Sequence, residues 1–153
     1  MNERLQMISA GIGHTRTIPA SFSRALRALR RCFSEAGICV VEQLDLSREF
    51  PGQFSGASKC TVLLIDCPLL FFEALALDRG AAAFIPLHIV VTGGEERTSI
   101  NWAHPTAITH LRVPATARAA VDALHARVTE LLQASESESL TGPVGTGVQQ
   151  RVR

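Results

Sequence analysis

The sequence predicts an α+β domain, a mostly antiparallel sheet of five strands with helices packed on one face, in the order β-α-β-β-α-β-β-α. Three observations predict it. Short apolar or alternating runs recur between turn residues, two stretches carry apolar residues at helical spacing, and across Pro68 the pattern changes period within a few residues. At 153 residues a single domain is expected, since a chain of that size buries about 68–70% of its unfolded surface and needs no staples.

Residues 1 to 11 are weakly patterned and read as a flexible N-terminus, with the domain running from 12 to 134. From Ile12 to Ile18 the modest alternation of GHTRTI suits a short strand, closed by Pro19. Ser21 is placed to cap a helix whose stripe is Phe22, Leu26, Leu29 and Phe33, with Gly37 ending it. Its other side carries Arg24, Arg27, Arg30 and Arg31, a solvated face. Ile38 to Leu44 is the next strand, and Asp45 opens a Gly-, Ser- and Pro-containing connection with room for one helical turn.

The run CTVLLI, residues 60 to 65, is apolar and β-branched without alternation, as in a strand covered on both faces. Pro68 has no N–H to lose at the first position of a helix, so Cys67 becomes the N-cap and Asp66 lies beside the positive end of the helix dipole, worth about 0.3–1 kcal/mol to a carboxylate. The helix from Pro68 to Leu77 is interrupted only by Glu73, and Gly80 is available for the left-handed position after it. A helix without a wet face is buried, in the fold or against a partner.

Ala83 to Thr92 reads as a long strand with Pro86 inside it, which implies an edge or a bulge. Gly93 and Gly94 turn the chain into an alternating strand, residues 97 to 103, with Ile100 and Trp102 on one side. Pro114 starts the last helix, with the stripe Ala117, Val121, Leu124, Val128 and Leu131. Residues 135 to 153 hold too few apolar side chains to offset the entropy of ordering and read as a disordered tail.

Fifteen basic against 14 acidic residues give a net charge of +1, a balance that argues against a nucleic-acid partner. No apolar run approaches the roughly 20 residues of a membrane span, and the start has no secretory pattern. Cys32, Cys39, Cys60 and Cys67 form no CxxC pair, as expected of free thiols in the cytoplasm. The polar side chains that could converge are Asp66, Cys67, His88, Trp102 and His104. Cys, His and Asp are competent zinc ligands, and a thiol at a helix N-terminus is activated, but the spacing matches no ligand motif and no residue is assigned as a metal ligand. There is no GxGxxG, P-loop or HExxH, and the residues do not identify a cofactor, which stays unknown at this point.

The run CTVLLIDCPLLFFEAL, then AFIPLHIVV, a Gly-rich turn, a strand and His104-Pro105 resembles the bacterial and archaeal domain of unknown function 302 family. That family's pattern is an apolar strand ending in Cys-Asn-Pro, a Leu and an Ala-Leu pair on a helix, and a Leu-Pro-Cys strand. Placing Pro68 on the family's first proline brings Leu70, Ala74 and Leu75 onto the helix positions and Pro86 onto the later proline. The resemblance implies a TATA-binding-protein-like α+β arrangement, often dimeric, without implying DNA binding or any reaction. Asp66 and Leu87 stand where the family has its two cysteines, and Cys67 where it has asparagine, so a role for that cysteine pair does not carry over. The expected function is a non-catalytic module that binds a small ligand or self-associates, a homodimer without nucleic-acid or membrane partners. The alternative is a thiol- or metal-dependent enzyme centred on Cys67 and His88.

Overall fold

A computed structural model describes residues 13–54, 58–77, 79–80, 86–103 and 115–134. The flexible start and disordered tail expected above lie outside these residues, as do His104 and Pro114. Five strands form one sheet: β1 (Gly13–Ile18), β2 (Cys39–Asp45), β3 (Lys59–Asp66), β4 (Leu87–Gly93) and β5 (Thr98–Ala103). Their order across the sheet is β1-β5-β4-β3-β2, and every neighbouring pair is antiparallel. The helices are α1 (Phe22–Glu35), the single turn α2 (Leu46–Glu49), α3 (Pro68–Leu77) and α4 (Ala115–Ala134).

The length of α1 is set by its task. β1 and β2 lie at opposite edges, so the connection must cross four strand spacings, about 19 Å at about 4.8 Å each. Fourteen helical residues at 1.5 Å rise reach about 21 Å. Ser21 stands at the N-cap, but its side chain makes no capping bond. The Phe22 N–H instead donates to Gly94 O at 2.8 Å, docking the helix onto the β4–β5 turn. At the other end Gly37 takes φ +70°, and the Gly37 and Ile38 N–H groups return to Ser34 O and Phe33 O at 3.1 and 2.8 Å. That is a Schellman closure, and a side chain at Gly37 would be strained in it.

Pro86 is not inside a strand. β4 starts at Leu87, one residue later, and is the central strand rather than an edge, so the ring needs no missing ladder bond. The bulge lies instead in edge strand β2, where the register shifts between Val40 and Glu42 and leaves Val41 60% exposed. The β4–β5 turn depends on Gly93, because a Cβ there would meet Arg97 O at 2.5 Å and Thr98 Cα at 2.8 Å.

Alternation along the strands sorts the side chains cleanly. Leu63, Ile65, Leu87, Ile89, Val91, Ile100 and Trp102 point to one face and are buried. Against them pack Ala25, Leu29 and Phe33 of α1, Ala74 of α3, and Val121, Leu124, Val128 and Leu132 of α4. The α4 stripe thus ends on Leu132, with Leu131 only half-buried. Between α4 and the sheet, the Arg16 guanidinium donates to Leu132 O, and the Trp102 indole N–H to Thr129 Oγ1 at 3.0 Å. On the other face Cys60 is buried beside Ser47 of α2, whose hydroxyl accepts its N–H at 2.5 Å. The remaining described outer positions, among them Val62, Leu64, His88, Val90 and Asn101, are half-buried or exposed.

Candidate functional site

The corner after β3 is built by its proline. Phe71 N–H bonds Cys67 O at 2.9 Å, the first intrahelical bond of α3, and Pro68 sits where an N–H would have had no partner. Cys67 turns into the core, 3% exposed, with its sulfur 4.0 Å from Nη1 of Arg127. The other guanidinium nitrogen of Arg127 donates to Ala36 O, which ties α4 to the carbonyl end of α1.

Asp66 faces the other way, directly across from exposed Cys39 on β2. Its carboxylate accepts the Cys67 N–H, which favours ionisation, but burial works against it more strongly and holds the carboxyl above its ordinary range. Oδ1 is buried without a hydrogen-bond partner among the described residues. The stabilisation expected from the helix dipole is therefore outweighed by desolvation, which penalises a carboxylate that water cannot reach on both oxygens. Burial likewise pushes the thiols of Cys32 and Cys60 up, with Glu35 and Asp45 adding to it respectively.

His88 is exposed and directly opposite Leu64, on the outer face of the sheet. Trp102 is buried on the inner face, its ring stacked on His14 at 5.2 Å between centroids. The sheet itself thus separates Cys67 and the Trp102 ring from His88, although Trp102 borders the same hollow as His88, and Asp66 and His88 share the outer side one row apart. Among the described residues no group of three or more His, Cys, Asp or Glu side chains is placed to hold a metal ion.

The outer face does hold a hollow of about 260 Å³ beside His88. Its floor is Ala103 and its cross-strand neighbour Gly13, where a Cβ would meet Trp102 O at 2.9 Å. Val90 and His88 flank it from β4 and Asn101 from β5, with the Thr15 hydroxyl donating to Asn101 Oδ1 at 2.8 Å. Nothing in the residue types of Gly13, Thr15, Asn101 or Ala103 marks them as a group. Only the register of β1 on β5 and β5 on β4 assembles them.

A second surface feature is α3 itself. Ala74 is its one buried residue, whereas Leu69, Phe72 and Leu77 are 66%, 65% and 70% exposed and Leu75 is partly so. No helix among the described residues is long and apolar enough to cross a membrane.

A crystal structure of an uncharacterized conserved DUF302 protein from Bacillus stearothermophilus is similar to this chain, with a TM-score of 0.69 at 15% identity. The match covers 81% of this chain and 98% of that one, and at such identity it shows the shared fold. No curated protein matches the sequence. The family described as Domain of unknown function DUF302 matches residues 14–135, and this α+β chain, with its five antiparallel strands and its proline-opened apolar helix, belongs to that family.

Proposed function

We propose that the domain is a non-catalytic module that self-associates as a homodimer through α3. The observation that carries this reading is the exposure of Leu69, Phe72 and Leu77 on a helix with a single charged residue, Glu73. Exposed large apolar side chains grouped on one short helix mark an interaction surface, since leaving them in water is unfavourable by about 25 cal/mol per Å², although exposed Glu73 stands between Leu69 and Leu77 on the same face. A second copy is the occupant that fits. A different partner is normally selected by complementary charge, and this face offers only Glu73, whereas a two-fold axis near Phe72 sets Leu69, Phe72 and Leu75 against their copies with Glu73 toward the rim. The four cysteines, none in a disulfide, support a reducing cytoplasm as the compartment.

The thiol- or metal-enzyme reading needs Cys67 and His88 in one site, and their placement on opposite sides of the sheet gives it no support. Light scattering and sedimentation at micromolar concentration test the dimer. The wild type is expected to be a dimer, and Leu69→Glu and Phe72→Glu monomers that keep the same circular dichroism, because both side chains are mostly outside the core. A wild type that stays monomeric at tens of micromolar would refute the proposal.

A further inference from the structure

We propose that the hollow on the outer face of the sheet is a binding site for a small planar carboxylic acid, one ring in size. Among the residues that line it, with His14 and Trp102 beside them, Asn101 and His88 offer side-chain donors from adjacent strands. Asn101 Oδ1 is already occupied by the Thr15 hydroxyl at 2.8 Å, which directs the amide NH₂ of Asn101 to any other partner. The His88 imidazole is exposed and, by the β4–β5 register, stands one row along from Asn101 and on the neighbouring strand. Two donors from adjacent strands suit an acceptor with two oxygens, and a charged acceptor bonds more strongly than a neutral one.

The rest of the hollow is mostly apolar and shallow. Val90 forms a side wall, and Ala103 with Gly13 leaves a floor without bulk, so a ring lies against the sheet while its carboxylate turns to His88 and Asn101. Size allows it, because the hollow is open to solvent on one side and its volume of about 260 Å³ exceeds the roughly 150 Å³ of an enclosed cavity that holds benzene. Sign agrees as well. No acidic side chain is among the described residues lining the hollow, so a cationic ring would find no counter-charge there, while a carboxylate finds donors.

Binding at this site does not depend on the α3 interface, which lies on another part of the surface. Titration of the ¹⁵N-labelled full chain with sodium benzoate, and in parallel with benzamidinium chloride, tests it by amide chemical shifts. Benzoate is expected to give saturable shifts at Gly13, Thr15, His88, Asn101 and Ala103, and benzamidinium none. His88→Ala should raise the Kd about tenfold or more, the loss expected for a hydrogen bond to a charged group. Ala103→Leu, which fills the floor, should abolish the shifts. The Phe72→Glu variant should titrate like the wild type whatever its oligomeric state. Shifts that do not saturate, saturable shifts confined to other residues, or equal binding of benzamidinium would each overturn the proposal.

Discussion

The two faces of the sheet are made from alternate residues of the same strands, and they have opposite character. On the inner face Leu63 and Ile89 are cross-strand neighbours, wholly buried under helices. One residue along, Leu64 and His88 are also neighbours, yet they are half-buried and exposed. Backbone geometry and strand propensity are shared by the two rows, so neither explains the difference. What differs is the cover: α1, α3 and α4 all contribute buried side chains to the inner side. The lesson is that the inner face carries the stability of the fold, which leaves the outer face free to carry hydrogen-bonding groups and a hollow at little cost to folding.

The sharpest test of that contrast is a pair of adjacent substitutions. Leu63→Ala leaves a cavity under the helices and should cost about 2–5 kcal/mol. Leu64→Ala removes a half-buried side chain with no sealed space behind it and should cost about 1 kcal/mol. Urea denaturation of both variants gives the two numbers. Equal losses would mean that the outer face is covered in the assembled protein and that the two faces are not distinct in kind.

The parts of this architecture that local sequence dictates were legible, and the parts that need distant pairing were not. Phe22, Leu29 and Phe33 repeat at a helical period, Gly37 supplies a left-handed residue, and Pro68 cannot be in a strand interior, so α1 and the β3–α3 corner follow from neighbours in the chain. The apolar run of β3 does mark a strand, but not one covered on both faces, because on the outer side only Cys60 is buried, beside α2, while Val62 and Leu64 are half-buried. Pro86 misled because a proline one residue before a strand has the same local signature as one inside it. In α3 nearly every residue is apolar, so periodicity could not say which side is buried, and packing chooses small Ala74 for contact and leaves Phe72 outside. The candidate set failed to separate by face for a related reason. Whether Cys67 and His88 meet depends on the pairing of Leu64 with His88, and a single residue of register reverses the answer.

A smaller contrast lies in the polar contacts of the two faces. The Trp102 indole N–H is held by Thr129 between sheet and α4, partly buried, whereas the Thr15–Asn101 bond is exposed. Thr129→Val leaves a donor without a partner and should destabilise by about 1–3 kcal/mol, while Thr15→Val should stay within about 0.5 kcal/mol, since water replaces the lost partner. Thermal melts with matched circular dichroism separate these values. The outer substitution should nonetheless weaken benzoate binding, because it frees Asn101 Oδ1 to turn its acceptor into the hollow.

Asp66 gives the smallest effect and the finest probe, because it belongs to the outer side yet has a buried oxygen. Burial raises its folded-state carboxyl above the unfolded value, so the folded chain holds the proton more tightly than the unfolded chain does. The linked stability is then fully present below the unfolded pKa and is lost as pH rises through the folded one. Wild-type stability should therefore fall along that limb, from the ordinary carboxyl range upward. Asp66→Asn cannot ionise but can still accept the Cys67 N–H through its amide oxygen, so it should flatten the limb and be the more stable protein at pH 7. Urea midpoints at a series of pH values from acid to neutral report both. If Asp66→Asn is instead the less stable protein at pH 7, the carboxylate has a partner in solution that neutralises it, and the outer face at that corner is covered just as the inner face is.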